Sequence, residues 1–250
     1  MARLYLLGTG AALSDPERTT TMLAVENDVS LLLIDCGGDV VQRLFAAGAG
    51  LRRFSALVLT HEHPDHVSGF PLFMEKMWLS GYGGAIPVCG ILPAIDQARR
   101  CLETFDTTRW EGFPRVRWHE VSQEAGAEVW SDEGFRVTAA PGAHGVPVTA
   151  LRIEDLEGGG VVTFSADTEP SAAVAQLAGG SDILVHEATG RFAGHSDAEQ
   201  AADIAAQAEV GRLLLVHLPS AELLGPATMM RATQRYGATE LGSEGGSYSF

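Results

Sequence analysis

A chain of 250 residues, 46% hydrophobic and 20% charged, has the composition of an ordinary globular protein with a sizeable core. Its formal net charge of −15 argues against a nucleic-acid partner, because nonspecific binding to nucleic acid depends on lysine and arginine. No apolar run is long enough to cross a bilayer, and the first residues predict a strand rather than a signal peptide. We therefore expect a cytoplasmic protein with a small substrate, in which three cysteines are free thiols: Cys36, Cys89 and Cys101.

In chain order, the first half of the sequence predicts strands that alternate with helices. Short apolar runs predict strands at 4–8, 21–26, 31–35, 56–60 and 86–90. Amphipathic or apolar stretches of greater length predict helices at 40–48, 67–79 and 93–104.

The second half predicts further strands, and a helical segment precedes each of the strands at 182–188 and 212–217. These strands lie near 115–121, 135–140, 148–153, 161–165, 182–188, 212–217 and 246–250. The EGGG stretch at 157–160 is typical of a hairpin turn. No linker or repeat divides the chain, so we expect one domain over 1–250. The hairpins favour a four-layer α/β sandwich of two mixed sheets flanked by helices, although periodicity alone does not exclude a doubly wound sheet.

The most informative stretch is HEHPDH at 61–66, directly after the apolar strand at 56–60. It places three histidines and an aspartate at the mouth of a buried strand, where such groups need partners. His61 and His63 are two positions apart, so on an extended or turning backbone they point to one side and can share a metal ion. Asp65 and His66 can face a second ion. Imidazole and carboxylate are suitable ligands for zinc and similar divalent metals.

Three further candidate ligands each follow a predicted strand: His144, Asp167 and His217. Sites in α/β proteins gather where strands end in this way. Each residue alone has an ordinary interpretation, such as a hydrogen-bonded histidine or, for Asp167, a helix cap. With HEHPDH they complete two sets of three ligands and one possible bridge. His119 and His186 have no place in these sets.

The chain resembles the metallo-β-lactamase-fold hydrolases. Their signature HxHxDHxxG is matched by His61, His63, Asp65, His66 and Gly69. The LLGTGAA and LLLIDCGG stretches and the three later ligands follow in the family's order. The resemblance implies the αββα sandwich with two divalent metal ions at one edge, most simply zinc, with manganese or iron as alternatives.

The resemblance also implies how the ions are held. One ion would be held by His61, His63 and His144. The second would be held by Asp65, His66 and His217. Asp167 would bridge the two.

Two stretches resemble the ribonuclease Z-like branch of this family: HEAT at 186–189 and GHSDAEQAADIAAQA at 194–208. In that branch a Glu and a His are associated with the active site, and they map to Glu187 and His195. Members that process tRNA insert a long substrate-gripping arm between the positions of His144 and Asp167. Here these residues are only 23 positions apart, which leaves room for a hairpin and no arm. The branch also implies a homodimer.

The mechanism implied by the resemblance is hydrolysis by metal-activated hydroxide. Asp65 would also orient the nucleophile, His195 would protonate the leaving oxygen, and Glu187 would orient His195. A phosphodiester has a poor leaving alkoxide and needs that acid, so we predict a phosphodiesterase acting on a small anionic ester or nucleotide. The alternatives are a lactone or thioester hydrolase, a tRNA 3′-processing endonuclease and, outside enzymes, a metal-binding regulatory or carrier protein.

Overall fold

The computed structural model describes residues 1–13, 15–220 and 224–250. In that part of the chain, two seven-stranded sheets are formed. The strands of the first sheet are β1 (Arg3–Gly8), β2 (Met22–Glu26), β3 (Leu31–Ile34), β4 (Phe54–Leu59), β5 (Ile86–Gly90), β6 (Val116–Glu120) and β14 (Ser247–Ser249). Their order in space is β14-β1-β2-β3-β4-β5-β6.

The second sheet has the order β13-β12-β11-β10-β9-β8-β7. Its strands are β7 (Ala127–Ser131), β8 (Phe135–Pro141), β9 (Thr149–Asp155), β10 (Val161–Phe164), β11 (Ile183–Glu187), β12 (Arg212–Val216) and β13 (Thr239–Leu241). The helices are α1 (Val40–Ala46), α2 (Pro64–Val67), α3 (Phe70–Leu79), α4 (Leu92–Glu103), α5 (Ala172–Leu177), α6 (Ala198–Gln207) and α7 (Pro226–Arg235).

Three clusters of buried apolar residues lie between the four layers. The first lies between the sheets, where Leu4 and Val58 of one sheet belong to the same cluster as Val137 and Leu214 of the other. The second packs the first sheet against α1, α3 and α4, and the third packs the other sheet against α5, α6 and α7. Each sheet is thus covered on both faces, which is why its central strands are apolar along almost their whole length. The predicted four-layer αββα sandwich of mixed sheets is confirmed.

The parallel strands of both sheets end at one edge of the sandwich. β3 to β6 are parallel neighbours, and so are β10 to β13. β8 runs in the same direction as β10, because both are antiparallel to β9. The loops that follow β4, β8, β10 and β12 carry the predicted metal ligands, so this strand direction gathers them at that edge.

The elements differ from the predictions in a few places. The helix predicted over 67–79 begins at Phe70 as α3, and Val67 belongs to the separate short helix α2. β7, β13 and α7 have no counterpart among the predicted elements. β7 is half exposed and α7 buries only Ala232, so neither has a strong apolar pattern. The predicted turn at 157–160 joins the antiparallel strands β9 and β10.

Two further features bear on the composition. All three cysteines are free thiols, and Cys36 and Cys89 are buried. Across the described ranges, the helices are all too short or too polar to span a lipid bilayer.

Candidate metal centre

The HEHPDH residues occupy a sharp turn after β4. His63 is the extended N-cap residue of α2, and the single turn of α2 carries Asp65 and His66. This turn is tied to the loop after β3 by backbone hydrogen bonds. The Cys36 N–H donates to the His66 carbonyl at 2.8 Å, and the Gly69 N–H donates to the Cys36 carbonyl at 2.8 Å.

Two glycines allow this close approach of backbones. A Cβ on Gly37 would lie 1.7 Å from the carbonyl oxygen of Asp65. A Cβ on Gly69 would lie 2.4 Å from the carbonyl oxygen of Cys36. Because real Cβ atoms cannot approach backbone this closely, both positions require glycine, which gives the Gly69 of the signature a physical reason.

Three histidine nitrogens converge on one point. His61 Nε2 lies 3.2 Å from His63 Nδ1, and His144 Nε2 lies 3.1 Å from the same atom. A neutral imidazole has one N–H, so hydrogen bonds among these rings cannot satisfy all three nitrogens. Two ligands each about 2.0–2.1 Å from a tetrahedral zinc ion are about 3.3–3.4 Å apart, which is close to the observed spacing.

A second set of atoms lies beside the first. Asp65 Oδ2 is 3.4 Å from His66 Nε2 and 3.3 Å from His217 Nε2. Asp167 Oδ2 lies 3.8 Å from His61 Nε2, 3.6 Å from His66 Nε2 and 3.3 Å from His217 Nε2. Asp167 therefore stands between the two sets, where a bridging carboxylate would have to be.

The donor atoms of this cluster fit divalent metal ions. His66 Nε2 and Asp167 Oδ1 are buried and have no hydrogen-bond partner among the described residues. Buried polar atoms without partners are rare in folded proteins because they cost free energy. Two metal ions would give both atoms a ligand role. The cluster is therefore able to hold metal ions, as its imidazole and carboxylate groups already suggest.

The charges of His61, Asp65 and Asp167 also suit metal ligands. Burial lowers the pKa of His61, and the neighbouring His66 lowers it further, so the His61 ring is neutral with a free lone pair. Burial raises the pKa of Asp167, but His217 and His66 outweigh it and hold that pKa well below its usual range. Burial likewise raises the pKa of Asp65, but the neighbouring His217 and His66 outweigh it and lower that pKa, so both carboxylates are ionised. Burial lowers the pKa of His66, but Asp167 and Asp35 outweigh it and raise that pKa, so His66 would release a proton when it binds a metal ion.

Asp35 orients two of the histidines from behind. His66 Nδ1 donates to Asp35 Oδ2 at 2.7 Å. The Thr60 hydroxyl donates to the same oxygen at 2.9 Å and lies 3.0 Å from His61 Nδ1. A carboxylate behind a ligating imidazole fixes its tautomer and raises its basicity. Asp35 is not among the ligands predicted from the sequence, although it directly follows β3.

Two more ring nitrogens that face away from the cluster are also held. His144 Nδ1 donates to the Gly194 carbonyl at 2.7 Å. His217 Nδ1 donates to the Thr189 hydroxyl at 2.6 Å. These bonds leave Nε2 of each ring for the cluster.

Backbone strain is concentrated here. Of the four non-glycine residues with positive φ in the described ranges, three belong to this edge: Asp35 (60°), Ala166 (49°) and His217 (51°). Residues in this region cost free energy, and they persist where the surrounding structure imposes them, often at functional sites.

Glu187 and His195 form a pair next to the cluster. Glu187 is buried at the end of β11, and its Oε1 accepts hydrogen bonds from the Thr168 N–H at 2.8 Å and from His195 Nδ1 at 2.9 Å. The His195 ring stacks on His217 with centroids 5.7 Å apart. Burial lowers the pKa of His195, but the hydrogen bond and charge of Glu187 outweigh it, so that pKa is raised.

The remaining histidines lie outside the cluster, as expected. His186 is buried, and its Nδ1 donates to the Glu187 carbonyl at 2.8 Å. His119 on β6 accepts a hydrogen bond from Arg117 Nε at 3.0 Å. The interpretation of Asp167 as a helix cap is wrong, because α5 is capped by the side chain of Ser171.

A cavity of about 430 Å³ opens onto the cluster. Four cluster residues line it together with Thr189 and His195: His63, Asp65, Asp167 and His217. Its apolar lining consists of residues 11–13, Pro64 and Phe192. A larger cavity of about 540 Å³, lined by α1 and α3, contains no candidate ligand. The smaller cavity is therefore the one that serves the site.

Comparisons with known proteins agree with this architecture. A family model described as the beta-lactamase superfamily domain matches residues 31–218. The chain is 30% identical to ribonuclease Z of Mycolicibacterium paratuberculosis over an alignment that covers 98% of this chain and 96% of that protein.

Solved structures show the same fold. The metallo-beta-lactamase fold protein YhfI from Bacillus subtilis has a TM-score of 0.80 and 22% identity, with 99% of this chain and 98% of that one covered. The short form of human tRNase Z has a TM-score of 0.79 at 22% identity, covering 99% and 98%. A diphosphatase from the PhnP family has a TM-score of 0.76 at 22% identity, covering 100% and 98%. The chain therefore belongs to the beta-lactamase superfamily, as a hydrolase of the metallo-β-lactamase fold.

Proposed function

We propose that this hydrolase is a phosphodiesterase that acts on a small phosphodiester or nucleotide with two divalent metal ions, most simply zinc. The side chains that would hold the ions are His61, His63, Asp65, His66, His144, Asp167 and His217. When bound, such ions supply a water of lowered pKa and positive charge for the phosphate oxygens.

The observation that carries this proposal is the His195–Glu187 pair at the cavity wall. Glu187 holds Nδ1 of His195, which leaves the Nε2 side of the ring for the cavity. From there His195 gives a proton to the leaving oxygen as its bond to phosphorus breaks. Asp65, on the cavity floor, accepts a hydrogen bond from the attacking water and so orients it.

The need for a proton donor favours a phosphodiester over the other ester classes. An alkoxide is a poor leaving group and requires protonation, and a positioned acid typically contributes about 10²–10⁴-fold to such a step. The thiolate that leaves a thioester depends less on that proton. The same is true of the alkoxide of a lactone, which stays attached to the product after the ring opens. A lactonase or thioesterase would therefore have little use for the buried Glu187 that orients His195.

A substrate panel tests the proposed ester class. We expect the metal-loaded chain to hydrolyse bis(p-nitrophenyl) phosphate well above its rate on a simple γ-lactone or an S-acyl thioester. His119→Ala, which removes a histidine outside the cluster, should keep the wild-type preference. Faster hydrolysis of the lactone or thioester would contradict the proposal. Bound metal with no hydrolysis of any ester would favour a regulatory or carrier protein.

Cleavage of RNA is the second candidate, and the similarity to the mycobacterial ribonuclease Z favours it. Such an activity is also phosphodiester hydrolysis, so the same residues would serve it. That alignment runs over 272 positions, more than the length of this chain, so the relative has segments that are missing here. Between His144 and Asp167 this chain has only the β9–β10 hairpin. We therefore place a nucleic-acid substrate second.

The test for this candidate is a precursor tRNA with a labelled 3′ trailer. At enzyme concentrations that hydrolyse a small diester, we expect the precursor to stay intact. Release of the trailer at a single position would make tRNA 3′ processing the better assignment.

A further inference from the structure

The cavity over the metal cluster has an aromatic side chain at its rim. Phe192 is 56% exposed, and its ring meets the His195 ring with centroids 5.1 Å apart at 60°. Single exposed apolar residues are common and need no explanation. Phe192 differs because it lines the cavity of the site and touches the residue that we assign as the proton donor.

The Phe192 ring is held in place by its loop. A Cβ on Gly190 would lie 2.7 Å from Phe192 Cε1, so the ring rests against the bare backbone of that glycine. The Phe192 N–H donates to the Gly190 carbonyl at 3.1 Å, and the His195 N–H donates to the Phe192 carbonyl at 3.1 Å. The Gly190 N–H donates to the Ser196 carbonyl at 3.0 Å and closes the loop. Phe192 and His195 are therefore fixed relative to each other.

The other apolar wall of the cavity lies on a different side. The Ala11 N–H donates to the carbonyl of Leu218, the residue after His217, at 3.1 Å. His217 stacks on one face of His195, whereas Phe192 meets His195 edge to face. The backbone of Ala11 thus lies beside the residue that follows His217, and Phe192 borders His195. A substrate across the metals would place its two ester groups near different walls.

We infer that Phe192 binds an aromatic ring, aryl or nucleobase, carried by the leaving alcohol of the substrate. The inference rests on the proposed phosphodiesterase function. In that reaction, water adds to phosphorus, the bond from phosphorus to the leaving oxygen breaks, and that oxygen takes the proton of His195. A proton from the water passes to solvent, from which His195 is reprotonated, and the products are a phosphomonoester and an alcohol. Because His195 must reach the leaving oxygen, the substituent of that oxygen lies beside Phe192.

The space beyond Phe192 and the charge of the cavity agree with this class. A second cavity of about 220 Å³ shares Phe192 and His195 with the first and adds the polar side chains of Glu169, Arg191 and Gln200. The leaving group can therefore extend past the ring. Among the described residues that line the main cavity there is no lysine or arginine, whereas Phe192 and residues 11–13 offer apolar and stacking contacts.

The experiment compares two diesters that share a leaving group. Bis(p-nitrophenyl) phosphate and ethyl p-nitrophenyl phosphate both release p-nitrophenol, but they differ in the group that stays on phosphorus. We expect Phe192→Ala to raise KM by roughly tenfold for both substrates, the usual size of a lost aromatic stack. kcat should stay within about twofold, because the stack is equal in the ground and transition states.

Two control variants accompany this measurement. Phe192→Tyr keeps the ring and should keep the wild-type KM. Phe45→Ala removes a phenylalanine of similar exposure, 53%, that lines a different cavity, and it should change neither parameter.

The outcomes separate this inference from the proposed function. A KM increase for bis(p-nitrophenyl) phosphate alone would place the stacked ring on the retained group and overturn the inference. A fall in kcat at constant KM would show that Phe192 only supports His195, and would also overturn it. If Phe192→Ala hydrolyses both diesters with the wild-type KM and kcat, the inference is overturned but the proposed phosphodiesterase function is retained. No hydrolysis of either diester overturns both.

Discussion

Both edges of the sandwich contain buried carboxylates, but the hydrogen bonding of these carboxylates differs between the two edges. At the edge opposite the metal cluster, Asp155 Oδ1 accepts hydrogen bonds from Asn27 Nδ2 at 2.8 Å and from the Glu157 N–H at 3.2 Å. Its Oδ2 accepts one from the Gly158 N–H at 3.0 Å. Both oxygens have partners, and the bond to Asn27 ties the two sheets together.

At the cluster edge the buried polar atoms are left incomplete. Asp167 Oδ1 and His66 Nε2 have no partner among the described residues, and three strained backbone positions lie close by. Composition does not separate the two edges, because each holds buried aspartates. What separates them is whether the protein alone satisfies the polar atoms, and the unsatisfied edge is the one with the geometry for metal ions.

Among single substitutions at the cluster edge, we expect the largest effect on stability and metal binding from Gly37→Ala. The new Cβ would overlap the carbonyl of Asp65, so α2 must move and take Asp65 and His66 with it. We expect a loss of about 3–5 kcal/mol in the free energy of unfolding and loss of bound metal. Denaturant unfolding and metal analysis measure these changes. Gly50→Ala is the matched control, because nothing lies within 4 Å of that Cβ. Equal behaviour of the two variants would contradict the close packing.

A smaller and more selective effect is expected from Asp35→Asn. The variant keeps every proposed ligand but weakens the acceptor behind His66 and Thr60. We expect the affinity for zinc to fall about 10–100-fold, the usual cost of losing such a partner. Competition with a chromophoric chelator measures this affinity. An unchanged affinity would show that Asp35 does not tune the cluster.

The smallest effect on stability is expected from a substitution at the opposite edge, which tests whether the two edges are independent. Asp155→Asn places an amide where two oxygens accept hydrogen bonds, so we expect a loss of about 1–3 kcal/mol in the free energy of unfolding. Zinc affinity should stay at the wild-type value, since Asp155 lies at the far edge. A fall in affinity like that of Asp35→Asn would mean that the two edges are not independent.

Much of the fold and the candidate ligands could be predicted from the sequence. HEHPDH is local, so its spacing is visible along the chain, and the later ligands each follow an apolar strand. Their meeting at one edge depends on strand direction, which periodicity does not give. The family resemblance supplied that step, and their roles as metal ligands remain predictions.

The features that escaped sequence reasoning share a physical cause. β7 and α7 bury few residues, so their apolar patterns are weak. Asp35 and Gly37 act through contacts with residues about 30 positions away, and no local pattern reports such contacts. Phe192 is an ordinary exposed residue until the loop brings it beside His195.

The most direct test of the central claim is to measure metal content and turnover together in the wild type and in His195→Ala. The substrates are bis(p-nitrophenyl) phosphate and diphenyl phosphate, which has the poorer leaving group. We predict two metal ions per chain in both proteins and a loss of turnover in the variant that is larger for diphenyl phosphate. Equal turnover of wild type and variant on both diesters, or a chain that binds no metal after reconstitution, would contradict it.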